Sequence, residues 1–338
     1  MKGCNVNMIG FKTLLGLCLV SAALASVDER YLLKYDEPAK DSFNKKGLGY
    51  IQTALPMGNG RLGAMFSGGV ETEHLLINDI TLWMNTKRGM DEAAQSGTRF
   101  VKPEEFGMVR QAYRDGKYGT KDGSMEALAT QYLSSTEPLG NYAPFTDVEI
   151  STDHDPSAVS DYSRTLDART GLGRVRYSLG GATFTREFFC SFPHDVVAAR
   201  YTADGAALNL TVKTTTKHKG AQVQAAGNRM VLTGKAAMVQ DDVEFMQVIH
   251  VEAGDGTVTA QKDGTITVSG ATDVRIYLAG YNDYQPVYPD FKGRDYRGDC
   301  EKTIDAACGL GYDALKQAHV ADVSALMDRC RLELAFQP

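Results

Sequence analysis

Cysteine and tryptophan are scarce in this sequence of 338 residues, which contains six cysteines and one tryptophan. Six cysteines are too few for a disulfide-stabilised scaffold. Without a C-x-x-C pair or regularly spaced histidines, they also do not form a zinc-binding pattern. The serine-nucleophile motif G-x-S-x-G, the zinc motif H-E-x-x-H and an acidic calcium-binding loop are missing as well. The sequence therefore predicts no metal site and no cofactor.

Basic residues are outnumbered by acidic ones, 36 to 42, which gives a formal net charge of -6. Proteins that bind nucleic acids usually carry a basic face. The only basic cluster, KTTTKHKG at residues 213–220, is short, and we interpret it as a solvated strand end or loop. The composition, with 43% hydrophobic residues, is typical of a globular chain, and we expect no nucleic-acid partner.

The apolar run LLGLCLVSAALA at residues 14–25 is too short to span a bilayer as a mature helix. It follows two lysines and ends in the sequence ALA, which fits the small-x-small rule for cleavage of a signal peptide. We predict a signal peptide over residues 1–25 and a secreted or periplasmic mature chain with no membrane segment after cleavage. Cys18 suggests a lipoprotein as the alternative, although Leu17 stands where a small residue is expected.

Four cysteines remain in the mature chain: Cys190, Cys300, Cys308 and Cys330. In an oxidising compartment Cys300 and Cys308 could pair locally, and three connectivities are possible among the four. Buried or isolated thiols are the alternative, and the sequence leaves both open.

Strand patterns dominate residues 62–280, where short alternating apolar runs recur between turn signals. Two alternating runs flank Gly180-Gly181 and two more flank Asp263-Gly264, and both pairs are typical of β-hairpins. In ALNLTVK, the apolar residues Leu208, Leu210 and Val212 alternate with polar ones. These patterns predict a mainly β fold, a large antiparallel β-sandwich in which one face of the sheet is exposed to solvent.

Helical patterns occur in two places. Residues 103–133 form a helical insertion, in which Ser124 is expected to cap the segment MEALATQYL. After a connector rich in tyrosine, proline and glycine at residues 281–299, the segment GYDALKQAHVADVSALMDRC predicts an amphipathic C-terminal linker helix. Its apolar stripe includes Leu315 and His319, and His319 can meet Asp322 on the helix surface.

Three glycines in the stretch ALPMGNGRLGAMFSGG have the spacing of a dinucleotide-binding fingerprint: Gly58, Gly60 and Gly63. That fingerprint needs a strand before it and a helix after it. Pro56 is expected to break the preceding strand, and Gly68-Gly69 lie where the helix should run. We therefore interpret the glycines as a tight turn that leads into a strand, with no nucleotide bound.

The stretch ALPMGNGRLGAMFSGGVETEHLLINDITLW resembles the N-terminal signature of glycoside hydrolase family 95, whose members are α-L-fucosidases and some α-L-galactosidases. The resemblance continues through YSRTLDARTGLGRVRYSLGGATFTREFFCSFPHDVVAARYTAD, LAGYNDYQ and ALKQAHVADVSALMDRCRLEL. It therefore extends from about Lys34 to the C-terminus.

The resemblance implies an N-terminal β-sandwich, a helical linker, a catalytic (α/α)6 barrel and a C-terminal β domain. It assigns residues 26–280 to the sandwich and residues 281–338 to the linker, and it implies truncation before the barrel. Glycosidic cleavage needs a carboxylic acid and a base, which this family carries in the barrel. We therefore assign no catalytic residue here, and interpret Glu104-Glu105 and Asp241-Asp242 as solvated charges.

The sandwich is expected to contribute contacts with a fucosylated or related glycan. The candidate residues are polar side chains that form directional hydrogen bonds, together with the flat face of the one tryptophan: Asn78, Asp79, Thr81, Trp83, Asn59 and Arg61. Turn capping and interdomain packing are the alternative roles for the same residues.

Two hypotheses follow for the whole chain. The first is the N-terminal part of a secreted hydrolase of terminal α-L-fucosyl or α-L-galactosyl residues, inactive alone and partnered by a catalytic barrel encoded downstream. The second is a stand-alone glycan-binding or interaction module without hydrolase activity.

Overall fold

The computed structural model describes residues 29–40, 52–84, 102–119, 121–130, 141–236, 243–288 and 290–329. The predicted signal peptide, Asp241-Asp242 and Cys330 lie outside these residues. None of the helices in the described residues is long and apolar enough to cross a membrane.

Strands make up most of the described chain. In chain order they are β1 (Leu32–Tyr35), β2 (Leu55–Gly58), β3 (Leu62–Phe66), β4 (Thr72–Asp79), β5 (Trp83–Met84), β6 (Asn141–Tyr142), β7 (Thr146–Thr152), β8 (Ser160–Asp167), β9 (Leu172–Leu179), β10 (Ala182–Ser191), β11 (Val196–Asp204), β12 (Leu208–Thr215), β13 (Gln222–Ala226), β14 (Arg229–Ala236), β15 (Val243–Ala253), β16 (Thr257–Ala260), β17 (Ile266–Ala271) and β18 (Asp273–Asn282). The helices are α1 (Pro103–Arg114), α2 (Met125–Thr130), α3 (Tyr296–Leu310) and α4 (Tyr312–Met327).

Two antiparallel sheets form the body of the structure. The large sheet has nine strands in the order β1-β8-β9-β10-β11-β18-β15-β14-β13, and the small sheet has seven in the order β16-β17-β12-β7-β4-β3-β2. The short strands β5 and β6 pair with each other beside them. The predicted mainly β sandwich is confirmed.

The main core lies between the inner faces of the two sheets. Phe66 of the small sheet stacks on Phe188 of the large sheet with ring centroids 5.0 Å apart. Phe145 meets Phe245 edge to face at 5.4 Å. Burial of such aromatic pairs is the dominant favourable contribution to a core of this kind.

A second core lies on the outer face of the large sheet, which α3 and α4 cover. Phe189, Tyr277 and Tyr281 of the sheet pack there against Ile304 of α3 and Leu315 of α4. The predicted linker helix therefore exists as α4 and packs directly onto the sandwich. Three layers result: the small sheet, the large sheet and the helices.

Helix α3 was not predicted from the sequence, although its signals are present. Asp295 caps the helix by accepting a hydrogen bond from the Gly298 backbone N–H at 3.0 Å. Four buried residues at helical spacing line one face: Tyr296, Cys300, Ile304 and Ala307. The first four residues of α3 belong to the stretch 281–299, which is predicted as a connector because of its tyrosines, prolines and glycines.

The predicted hairpins are confirmed. β9 and β10 pair across Gly180-Gly181, and both glycines have positive φ. β16 and β17 pair across the turn that contains Gly264, at φ 86°. Leu208, Leu210 and Val212 of β12 are buried, as their alternation predicts.

The helical insertion is confirmed as α1 and α2. Ser124 caps α2, because its Oγ accepts a hydrogen bond from the Ala127 backbone N–H at 3.3 Å. Glu104 and Glu105 lie in the first turn of α1, where Glu105 accepts a hydrogen bond from the Lys102 backbone N–H at 2.9 Å. These acids are helix-start charges, as interpreted.

One detail of the sequence interpretation was wrong. Pro56 does not break a strand, because β2 lies at the edge of the small sheet, where a missing N–H is tolerated. Of the two alternatives left open for Cys300 and Cys308, the structure has the unpaired thiols: both are free and lie on the same helix, two turns apart. Burial raises the pKa of the Cys300 thiol to about 12.

Candidate functional site

The glycine-rich stretch forms a β-hairpin, because β2 and β3 pair directly across residues 59–61. Gly60 has φ 92°, a conformation that favours glycine. The Asn59 side-chain oxygen accepts hydrogen bonds from the backbone N–H groups of Arg61 and Leu62 at 3.0 and 2.7 Å. The stretch is thus a turn that leads into a strand, as predicted, and not the strand-to-helix junction of a dinucleotide site.

This hairpin turn is fixed to the large sheet. The amide of Asn59 donates hydrogen bonds to the Ser191 carbonyl at 3.1 Å and to Oδ1 of Asp195 at 3.0 Å. Asp195 lies in the turn between β10 and β11 and has φ 49°. A positive φ at a non-glycine residue is uncommon and needs support from neighbouring contacts.

Arg61 is the centre of the contacts at this end of the sandwich. Its guanidinium donates from Nη1 to Oδ2 of Asp79 at 2.6 Å and to the Gly280 carbonyl at 2.8 Å. The Nε group donates to Oδ2 of Asp195 at 2.9 Å. Burial lowers the pKa of Arg61, but the carboxylates of Asp79 and Asp195 outweigh it and hold the pKa above its ordinary value.

Tyr281 completes the arrangement. Its ring lies 4.0 Å from the Arg61 guanidinium carbon and 4.4 Å from that of Arg294, measured to the ring centroid. Its hydroxyl donates to Oδ2 of Asp195 at 2.7 Å and lies 2.9 Å from Oγ1 of Thr303 on α3. Burial raises the pKa of Tyr281 to about 12.

We refer to five of these residues as the Arg61 cluster, which joins both sheets and α3: Asn59, Arg61, Asp79, Asp195 and Tyr281. Asp79 also accepts two hydrogen bonds from Thr81, from its backbone N–H at 2.9 Å and its hydroxyl at 2.7 Å. Asn282 in turn donates to the Thr81 hydroxyl at 2.8 Å. The structure therefore brings together four predicted site residues, namely Asn59, Arg61, Asp79 and Thr81.

Trp83 lies on the surface next to the cluster. Its ring is 41% exposed and packs edge to face against Tyr142, with centroids 5.8 Å apart. Its indole N–H donates to the Ile80 carbonyl at 2.9 Å, which holds the ring in place. Ile80 and Tyr142 are exposed too, so the three side chains form an apolar patch.

Asn78 is not part of this arrangement. It lies on β4 opposite Gly63, half-buried, and its side chain points to the other face of the strand from that of Asp79. The structure thus separates Asn78 from the other candidate residues.

Two residues of the Arg61 cluster, Asp195 and Tyr281, and the neighbouring Arg294 were missed by sequence reasoning. Asp195 and Tyr281 follow Arg61 by well over a hundred positions, and Arg294 lies in the connector. No motif spacing could have pointed to them. A buried ion pair between Arg186 and Glu73, 3.5 Å from Nη1 to Oε2, was missed for the same reason.

Two side-chain groups in the described part of the chain could hold a metal ion. One consists of His250, Glu252 and Cys308, and the other of His74, Asp147 and Glu149, with ligand atoms within 4.8 Å of one another in each. Neither group includes a member of the Arg61 cluster. The absence of a cofactor stays a prediction.

Comparison with known proteins identifies the family. The model of the family described as "Glycosyl hydrolase family 65, N-terminal domain" matches residues 33–286, which is most of the chain. The chain belongs to this family. The region is thus related to glycoside hydrolases, and its matched residues include both sheets and all six candidate residues.

Three relatives are α-fucosidases by name. "Alpha-L-fucosidase 2" of Arabidopsis thaliana is 24% identical over 306 residues, which is 83% of this chain and 35% of the relative. "Probable alpha-fucosidase A" of Aspergillus niger is 25% identical over 295 residues, 84% of this chain and 36% of the relative. "Probable alpha-fucosidase A" of Aspergillus oryzae is 23% identical over 298 residues, 83% of this chain and 39% of the relative. The chain spans little more than a third of the length of these relatives.

Proposed function

We propose that this chain is the N-terminal sandwich and linker of a secreted glycoside hydrolase of family 95. Its substrates are terminal α-L-fucosyl or α-L-galactosyl residues of glycans. The observation that carries the proposal is the similarity to α-fucosidases over more than four fifths of the chain. Export by the predicted signal peptide at residues 1–25 is part of the same proposal.

Catalysis belongs to a barrel domain encoded after this region. Hydrolysis with inversion needs two carboxyl groups about 6.5–9.5 Å apart that reach the substrate. Asp79, the most suggestive acid near the glycine hairpin, is 1% exposed, and its two oxygens accept bonds from Arg61 and Thr81. A carboxylate held in this way is occupied by structural partners, which makes it a poor proton donor for a leaving group.

Exposed side chains of the sandwich line one side of the substrate site of the proposed barrel. The Trp83–Tyr142 pair presents flat apolar surface of the kind that stacks on a sugar ring, and it is exposed. The Arg61 cluster lies below it and links the Asp79–Thr81 turn to the large sheet. Direct sugar contact is therefore assigned to Trp83, and the cluster holds the surface around it in place.

Sugar specificity is tested with a protein that includes the coding sequence after Pro338. Release of the aryl group from aryl α-L-fucoside, α-L-galactoside and α-D-glucoside is compared at equal concentrations. We expect turnover of the fucoside or the galactoside and none of the glucoside. Turnover of the glucoside alone would overturn the proposal.

The second candidate is a stand-alone glycan-binding module, and the exposed Trp83–Tyr142 pair is the observation that favours it. It is tested by titrating the purified mature chain, residues 26–338, with a fucosylated oligosaccharide and with the same oligosaccharide after removal of fucose. Saturable binding of the first alone, lost in Trp83→Ala and kept in the control Tyr118→Ala, would favour the module. No binding favours the hydrolase fragment.

A further inference from the structure

A groove of about 370 Å³ opens on the outer face of the large sheet, beside α4. Seven residues line it: Arg174, Arg176, Thr185, Glu187, Arg200, Thr202 and Lys316. None of these seven residues belongs to the Arg61 cluster, and Trp83 is not among them.

Strand register arranges the floor of this groove in two rows across β9, β10 and β11. One row consists of Arg174, Glu187 and Arg200, which are direct cross-strand partners. The second row consists of Arg176, Thr185 and Thr202, paired in the same way. Lys316 of α4 forms the wall. In the second row, the guanidinium of Arg176 therefore lies at one end, followed by the hydroxyl groups of Thr185 and Thr202.

Four cations and one carboxylate line the groove, in a chain whose formal net charge is -6. The carboxylate is already neutralised. Lys316 Nζ lies 2.6 Å from Oε1 of Glu187, and Arg174 donates to Oε2 at 3.0 Å. Burial raises the pKa of Glu187, but Lys316 and Arg174 outweigh it and hold the pKa below its ordinary value.

Arg176 differs from the other three cations. Arg200 is paired with Asp273 and Asp313, whereas the guanidinium of Arg176 has no hydrogen bond or ion pair with any residue that the structure describes. Its side chain is exposed, and a guanidinium carries five N–H donors in a fixed planar fork. This fork matches the two oxygens of a carboxylate or of a sulfate ester.

We propose that this groove binds an anionic saccharide, with its carboxylate or sulfate group on Arg176 and its hydroxyls on Thr185 and Thr202. The volume of about 370 Å³ suits one or two sugar rings. The preference for a saccharide over an acidic peptide rests on the proposed function in glycan hydrolysis. The groove would place charged glycans on the sandwich, apart from the Trp83 surface.

The binding test uses calorimetric titration of the purified chain with three oligosaccharides of equal length. One carries uronate carboxylates, one carries sulfate esters and one is neutral, and an oligoglutamate peptide is the fourth probe. We expect saturable binding of the uronate or the sulfated probe, whichever source of the anion the groove accepts, and none of the neutral probe. Arg176→Gln should weaken this binding about tenfold or more, because it removes a charge-assisted fork.

Arg114→Gln is the matched control, since Arg114 is exposed on α1 and should leave binding unchanged. Equal binding of the neutral probe or of the peptide, or unchanged affinity in Arg176→Gln, would overturn the groove proposal. Aryl fucoside release by the longer protein is measured separately. If release persists while the anionic probes fail to bind, only the groove is rejected; if binding persists without release, the proposed hydrolase function is rejected.

Discussion

Arg61 illustrates what a single residue does in this fold. Its guanidinium contacts the carboxylates of Asp79, at the end of β4 in the small sheet, and Asp195, in the β10–β11 turn of the large sheet, and the side chain is 18% exposed. Charges taken out of water in this way depend on their partners, and removal of one partner leaves the others uncompensated. The residue therefore serves as a connection between the hairpin turn and the large sheet.

Replacement of Arg61 by methionine should destabilise the protein by about 3 kcal/mol, because Asp79 and Asp195 would lose their common cation. Urea unfolding of the purified variant measures the change. Arg114→Met on α1 is the matched control and should change stability by less than about 0.5 kcal/mol. An Arg61→Met variant as stable as the control would show that the cluster contributes nothing to the fold.

His319 is a second residue with a structural role, and it lies on the apolar stripe that the sequence predicts for α4. It is 2% exposed, and its ring stacks on Phe189 with centroids 4.9 Å apart. Burial lowers the pKa of His319, while the Gly171 carbonyl and Asp322 raise it less. The histidine is thus part of the interface between α4 and the large sheet.

The sign of the pH effect follows from this shift. Between the lower folded pKa and the unfolded value near 6.5, the unfolded chain binds more protons. Stability is therefore complete above the unfolded pKa and falls as the pH drops through the folded pKa. His319→Gln should show a smaller loss of unfolding free energy between about pH 7.5 and about pH 5.5 than the parent. The comparison is made by urea unfolding at both pH values, and an identical loss would contradict the assignment.

At the scale of elements, the sequence could predict what depends on near neighbours. Gly180-Gly181 marks a hairpin, β12 alternates as a half-buried strand should, and α4 shows its apolar stripe. The prediction failed for Pro56, because the edge position of β2 is a property of the whole sheet. It also missed α3, whose buried face becomes meaningful only once the large sheet is available to cover it.

In the candidate site too, the sequence predicts local features and misses contacts between residues that are distant in the chain. The turn residues Asn59 and Gly60 could be identified from local chemistry, because capping and positive φ act over a few residues. The partners Asp195 and Tyr281 could not, since they reach Arg61 only after strands from two sheets have paired. Whether the candidate residues contact sugar stays a prediction.

Gly280 of β18 provides a test of packing between elements. A Cβ at this position would collide with the ring of Phe145 in the main core. Gly280→Ala should therefore cost about 1–3 kcal/mol through overpacking. Gly107 on α1 is the matched control, because a Cβ there meets open space and should stabilise the helix by about 0.5–1 kcal/mol. Both are measured by thermal and urea unfolding, and a neutral Gly280→Ala would contradict the described core.

At the scale of the whole molecule, the structure is a sandwich whose large sheet is covered by helices on its outer face. The Arg61 cluster ties together both sheets and α3 at one end, with the exposed Trp83–Tyr142 pair beside it. Under the proposed function, this end of the sandwich would offer a fixed surface to the catalytic barrel. The division into a sandwich ending at residue 280 and a linker after it stays a prediction.

Under the proposed function, this region is the N-terminal part of a fucosidase and carries none of its catalytic groups. The most direct test compares hydrolysis of an aryl α-L-fucoside by the purified mature chain, residues 26–338, and by a protein that includes the coding sequence after Pro338. The account predicts turnover by the longer protein and none by the shorter chain. Turnover by the shorter chain itself would contradict it, and would place the catalytic acid among residues such as Asp79, Asp241 and Asp242.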